Sequence, residues 1–412
     1  MQSAATFFAE RYPFLNDLLT RRFVTVALAF AALILTTNAA MFAHAVATSK
    51  EYVTRYGPVI GGDFVVFDTA GSAAASGEAA AIYDARTFSD RLAEAFPARG
   101  PVRLSWQYPP SMLLVVAPLS AFPYLASYAL WIAAMTGLFG AAARALWNDP
   151  RALFLVFASP AAFQSMITGQ TGFLTASLLA VSGAFAGSRP ILAGVAAGLL
   201  AIKPQLGLLI PIAFAIAGCW RSFAAAGATA VVVALTSVAL FGLEPWLAFM
   251  GAVGAHGERM QTDVFPYHKL ITAFGGAMML GLPKAAAFVL QAAVSIGVAI
   301  VVAIVWRRTR DWRLRAAILC AAAPLVTPYA FYYEIAILIP PVLLIAKCGL
   351  ESGWLKGERT ALALLWLAPM ALPGAKEIPG LPLSFAVAAA VFALVVRRAL
   401  RELHPGAPVR NA

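Results

Sequence analysis

The sequence predicts an all-α polytopic membrane protein: a bundle of about 12 transmembrane helices with a large first outer loop bearing short juxtamembrane helices. Three observations carry that prediction. Hydrophobic residues make up 61% of the 412 and charged residues only 12%, whereas about a quarter of an average soluble domain is charged. Mean hydropathy is +0.80. Apolar runs of about 17 to 25 residues, the length a bilayer crossing needs, recur along the whole chain.

In chain order, apolar runs between polar breaks place spans near 23–46, 110–147, 151–168, 171–187, 190–202, 204–219, 223–241, 284–306, 314–327, 332–347, 359–373 and 381–398. The first run ends in Ala45-Val-Ala47, which resembles a signal cleavage site, but it exceeds the roughly 7–15 residues of a signal core and reads as an anchor. The 110–147 stretch is too long for one straight helix, and Pro118 and Pro123 divide it into a short piece and a long one. Within the first loop, 47–107, residues 69–97 read as two short surface helices broken at Gly77, with Thr87 and Asp90 as an N-terminal cap signal. A second outer loop is expected at 242–283. The whole chain, 1–412, reads as a single integral-membrane domain without internal repeats.

The net charge of +11 does not point to nucleic acid, because the cations sit at helix ends. Arg11, Arg21 and Arg22, then Arg144, Arg151, Arg189, Arg221, the Arg307–Arg315 cluster, Lys347, Lys356, Arg359, Arg397, Arg398, Arg401 and Arg410 fall on one side if the N-terminus is cytoplasmic. That is the asymmetry the positive-inside rule expects. Both termini are then cytoplasmic, and the unusual polar residues converge on the outer face.

Asp63 is the sharpest candidate for chemistry. It follows Gly61-Gly62 and precedes Phe64-Val-Val-Phe67, and a partly desolvated carboxylate near a membrane surface suits a general base. A helix cap after the two glycines fits the same spacing. Asp68 is the weaker alternative. Lys203 interrupts an apolar region at Lys203-Pro204-Gln205, where a lysine is costly without a partner or water; it reads as a cation for a phosphate or as a snorkelling side chain. Gly169-Gln170 after Thr168, taken alone, reads as a loop turn. His268 and Lys269, after Asp263 and Phe265, read as anion ligands or headgroup-level residues. Glu334 begins a span and must face a cavity or a cation, and Tyr329, Tyr332 and Tyr333 beside it read as a sugar platform or an aromatic belt. Cys219, Cys320 and Cys348 have no metal or disulfide spacing. No phosphate loop and no HExxH motif occurs, so neither metal nor cofactor is expected.

Taken together, Asp63-Phe-x-x-Phe67, Ala70, Gly77, Tyr83-Asp84, Tyr108-Pro-Pro110, Ala117-Pro-Leu119, Gly169-Gln170 and Lys203-Pro-Gln205 resemble glycosyltransferase family 87, the polyprenyl-phosphate-mannose-dependent α-mannosyltransferases of the GT-C membrane fold. The resemblance covers about 60–345 and departs at Phe67, where the family often has tyrosine. It implies a GT-C-like bundle and an inverting transfer of a mannose-like hexose or other sugar. The sugar passes from a polyprenyl-phosphate donor to a lipid or glycan acceptor hydroxyl on the extracytoplasmic side. The missing nucleotide site and the Ala-rich composition, for their part, point to a bacterial cytoplasmic (inner) membrane. The resemblance also implies Asp63 as general base. Lys203, His268 and Lys269 are then candidates for the phosphate, and Gln107, Tyr108, Gln170, Gln205, Tyr329 and Glu334 for the sugar pocket. A secondary transporter or lipid-linked-sugar flippase is the main rival, but such proteins show inverted repeats and midplane charges. A scaffold is the third reading. Asp63→Asn separates the readings, because only a transferase loses turnover while still binding donor.

Overall fold

The computed structural model describes residues 22–55, 57–100, 104–259, 265–375, 378 and 380–403. Arg11, Arg21, Arg410 and Asp263 lie outside the described residues. The described residues are mostly helical and joined by short turns, with isolated bridges (Lys50 with Val53, Val53 with Val59, Leu270 with Phe331) in place of strands.

Among the described residues, six helices are long and apolar enough to cross a membrane: Val24–Ala47, Tyr124–Leu146, Trp220–Phe241, Lys284–Arg308, Tyr332–Ser352 and Leu383–Leu403. A seventh crossing arises if Pro150–Phe157 and Pro160–Thr168, bent by 54°, count as one. The other predicted spans are shorter apolar helices, including Gly172–Phe185, Pro190–Leu199 and Trp312–Ala322. A helix enclosed by other helices has no lipid to match, so its length is free of the bilayer thickness. Gly172–Phe185 is of this kind, buried along nearly its whole length.

Proline and its caps set many of the boundaries. Asp149 and Ser159 accept backbone N–H groups from Arg151 (2.8 Å) and Ala162 (3.1 Å), and Pro150 and Pro160 occupy the first helical positions, where no N–H is needed. The 110–147 stretch divides as expected, into a short irregular helix at 110–121 and the long helix Tyr124–Leu146. Small residues let neighbouring helices touch backbone to backbone. Gly183 lies against Ala316, and Gly194 and Gly198 lie against Ser222, Ala226 and Thr229.

The first loop carries two short helices, Phe64–Ala75 and Ala85–Ala95, with Gly77 in the turn between them, but the first starts earlier than expected and is mostly buried in the core instead of lying on a surface. The cap of the second helix differs from the sequence reading. Asp84 accepts the Thr87 N–H at 2.7 Å, so Thr87 is inside the helix that it was expected to start. The second loop is also more ordered than the sequence suggests, because Glu244–Arg259 and Ala273–Met279 are helical.

Candidate active site

The long helix Tyr124–Leu146 holds together two turns that are far apart in sequence. Tyr124 Oη donates to Ile60 O (2.6 Å), Tyr128 Oη to Met166 O (2.9 Å) and Trp131 Nε1 to Gly169 O (2.8 Å). Phe64 packs among the same three rings at centroid distances of 5.7, 5.5 and 6.1 Å. The turns 61–63 and 168–170 therefore cross at backbone distance, and Asp63 N donates to Thr168 O at 2.9 Å. Both turns need glycine. Gly169 has φ +61°, and a Cβ there would lie 2.4 Å from Gly61 O. Gly62 has φ +55° with the Ile167 and Thr168 backbone 2.9 Å from its would-be Cβ.

This crossing bears on the cap reading of Asp63. The residue occupies the cap position of the helix Phe64–Ala75, but its side chain makes no capping bond. Its Oδ2 instead accepts from Gln170 Nε2 at 2.9 Å. Its Oδ1 has no hydrogen-bond partner among the described residues.

From Gln170 the contacts run inward. Tyr108 Oη donates to Gln170 Oε1 at 2.9 Å, and Lys203 Nζ donates to Tyr108 Oη at 3.1 Å. Lys203 also donates to Thr171 Oγ1 at 3.1 Å and pairs with Glu334 Oε1. Thr175 Oγ1 donates to Glu334 Oε2 at 3.0 Å. The ammonium lies over the rings of Tyr108 (4.9 Å) and Tyr333 (5.4 Å), the geometry of a cation–π contact. Lys203 and Glu334 are 6% and 1% exposed, which makes this a buried ion pair. It meets the requirement, read from the sequence, that each has a partner.

Gln107 and Tyr329 are joined by a hydrogen bond at the exposed edge of the same region. The segment with His268 and Lys269 lies alongside: Ile271 N donates to Ala330 O at 2.9 Å, and Phe265 contacts Phe331 at 6.3 Å. Tyr329, Phe331 and Tyr333 form a continuous aromatic face. Gln205 is half-buried on the turn after Lys203 and is not linked to the Asp63 contacts.

Three further residues belong to the site. Thr171 and Thr175 complete the polar contacts of Lys203 and Glu334. Arg99 sits in a turn placed beside 60–63 by the edge-on packing of Phe96 against Tyr124 (centroids 4.9 Å apart). Burial pushes its guanidinium down and the negative charge of Asp63 pushes it back up. Thr171 follows Gln170 directly and was open to inspection. Arg99 had no local signal, because its role depends on how the loop folds back. Asp68 is half-buried, and burial raises its carboxyl to about 6.

Among the described residues, Asp311, Cys348 and Glu402 bring their ligand-type atoms together, but Arg313 already binds the Asp311 carboxylate. Cys219, Cys320 and Cys348 are free thiols.

A profile of glycosyltransferase family 87 matches residues 106–328, more than half of the chain. Neither the curated proteins nor the solved structures contain a match.

Proposed function

Because the chain belongs to glycosyltransferase family 87, we propose that it is a GT-C-like membrane enzyme that transfers a sugar from a polyprenyl-phosphate donor to an acceptor hydroxyl, with inversion. The carrying observation is the state of Asp63: one oxygen is held by Gln170 and the other is left to receive a proton. In the reaction the acceptor O–H gives its proton to Asp63 Oδ1. The acceptor oxygen attacks the anomeric carbon from the face opposite the phosphate. The bond from that carbon to the phosphate oxygen then breaks, and its electron pair leaves with the polyprenyl phosphate. General-base assistance of this kind contributes about 10²–10⁴ in rate, and cations stabilise the departing charge.

Arg99, His268 and Lys269 are the cations assigned to the phosphate. Gln107, Tyr329 and the aromatic face of Phe331 and Tyr333 are assigned to the sugar, whose C–H faces stack on such rings; Gln205 is a more peripheral member. A cavity of about 380 Å³, walled by Gly198, Leu200, Pro204, Gly207, Phe214 and Phe223 among other apolar residues, lies beside the turn that carries Lys203. Its wall suits a hydrocarbon chain and supports an isoprenoid donor. A mannose-like hexose and a lipid or glycan acceptor follow from the family resemblance.

The basic helix ends support a site on the extracytoplasmic side of a bacterial inner membrane. Lys347 donates to Leu146 O at 3.0 Å, Arg313 bridges Asp311 and Glu351, and Arg398 pairs with Glu358. These contacts gather cations at one end of the bundle, as the positive-inside rule expects of a cytoplasmic face. The full chain is proposed as one integral-membrane unit of about 12 crossings, in which short enclosed helices complete the count.

The test gives membranes carrying wild-type protein or Asp63→Asn a panel of radiolabelled polyprenyl-phosphate sugars and follows label into lipid or glycan. Transfer by the wild type, with loss of about 10²-fold or more in the variant, is expected. Equal transfer by both removes Asp63 as base. Label that crosses the membrane unaltered, without transfer, returns the transporter reading.

A further inference from the structure

We propose that the buried Lys203–Glu334 pair is a positioning element for Asp63, acting through Tyr108 and Gln170, and is not a phosphate ligand. The inference rests on the reading of Asp63 as general base and assigns Lys203, Glu334, Tyr108 and Gln170 to the orientation of that base.

Hydrogen-bond polarity carries the inference. A lysine ammonium has three donors and no acceptor. All three are directed at protein atoms: Glu334 Oε1, Tyr108 Oη and Thr171 Oγ1. No N–H remains for a phosphate oxygen. Because Lys203 can only donate, Tyr108 Oη must accept from it, and the single phenolic proton is then directed to Gln170 Oε1, 2.9 Å away. With its carbonyl occupied, the Gln170 amide has only its NH2 to present, and Nε2 meets Asp63 Oδ2 at 2.9 Å. The donor-only ammonium at one end and the acceptor-only carboxylate at the other agree on the direction of every bond between them, and the phenolic proton meets Gln170 Oε1 at 2.9 Å, closer than Thr171 Oγ1 at 3.4 Å. Without Tyr108 Oη the Gln170 amide would be anchored only through Asp63 itself.

Charge balance and burial make the arrangement durable. Glu334 neutralises the ammonium, and its second oxygen is satisfied by Thr175. Tyr108 and Gln170 are 8% and 7% exposed, so water does not compete along the chain, and hydrogen bonds in series polarise one another in such surroundings. Glu334 lies in the 3₁₀ segment Tyr332–Leu338, seven residues in a geometry that is uncommon beyond three or four and often marks a functional position.

Two variants test the proposal. Tyr108→Phe removes one oxygen from the middle of the chain and leaves the ion pair intact. Lys203→Met combined with Glu334→Gln removes both charges together, so no unpaired charge stays buried. In each, kcat is expected to fall about tenfold or more, with donor KM within about twofold because the donor contacts remain. Combining the variants is expected to add little, because both act through one chain of contacts.

Infrared spectroscopy of the detergent-purified protein supplies a readout that needs no substrate. The Asp63 carboxylate band, assigned by its loss in Asp63→Asn, is expected to shift in both variants. An unshifted band in Tyr108→Phe, additive losses, or a raised KM with wild-type kcat would overturn the proposal. The last result would return Lys203 to the phosphate. If Lys203→Met/Glu334→Gln fails to fold, Tyr108→Phe decides alone. A band that shifts in the variants, with a wild type that transfers no sugar, would keep the positioning element and remove the transferase reading.

Discussion

Replacing Gly169 by alanine measures how tightly the two crossing turns hold Asp63. At φ +61° a residue with a Cβ costs about 1–2 kcal/mol in the left-handed region. The new methyl would also lie 2.4 Å from Gly61 O and 2.7 Å from Phe64 Cβ, and overpacking of this kind costs about 1–3 kcal/mol. The expected destabilisation is therefore about 2–5 kcal/mol. Relief requires the turns to separate until the 2.4 Å contact reaches the ordinary 3.4 Å, a movement of about 1 Å beside the base. Displacements of that size cost up to about 100-fold in rate. Gly77→Ala is the control, because Gly77 has φ +81° but nothing within 4 Å of its would-be Cβ, so only the backbone cost applies. Both variants are compared by thermal unfolding and by turnover in lipid nanodiscs. Gly169→Ala should unfold at a clearly lower temperature than Gly77→Ala and lose most of its kcat. Equal unfolding temperatures with full turnover would refute the idea that the crossing positions Asp63.

Two further expectations concern stability. Asp68 has its carboxyl raised by burial from 3.8 to about 6, so the folded state holds that proton more tightly than the unfolded one. The penalty for ionising it is absent below about pH 4 and grows as pH rises to about 6, which makes the fold less stable across that window. Asp68→Asn should flatten the dependence and add at most about 3 kcal/mol at neutral pH, read as unfolding temperature against pH in both proteins. Arg398→Met should destabilise by about 3–5 kcal/mol by leaving Glu358 buried without its cation, since the pair is 3% and 0% exposed at 3.1 Å. Converting Glu358 to Gln in the same chain should recover much of that loss, as judged by the same unfolding assay.

Much of the frame was legible in the sequence because it follows from local composition. The split at Pro118 and Pro123, the break at Gly77 and the presence of two short helices in the first loop are written in neighbouring residues. Asp63 stood out as a carboxylate between two glycines and an apolar run. What the sequence did not disclose depends on distance along the chain. Gln170 is 107 positions from Asp63, and nothing near Gly169 distinguishes a turn that grips another turn from an ordinary one. Lys203 and Glu334 each advertised the need for a partner, but not that they were partners of each other. Span counting met a different physical limit. Hydropathy reports apolar length, whereas Gly172–Phe185 is apolar because protein surrounds it on all sides. The cap at Asp84 was overlooked because Thr87 and Asp90 present a similar signal three residues later.

The Lys203–Glu334 pair also sets a timetable for biosynthesis. Its two members are 131 residues apart, and at about 5–20 residues per second the ribosome needs roughly 7 to 26 s to deliver the second after the first. Throughout that interval a lysine has entered the bilayer side of the insertion machinery while its counter-charge does not yet exist. The turn carrying Lys203 must wait at a hydrated surface or within the translocation channel until the later spans arrive. The polar centre therefore closes as a late event of membrane assembly, and a nascent chain halted before Glu334 carries an uncompensated cation.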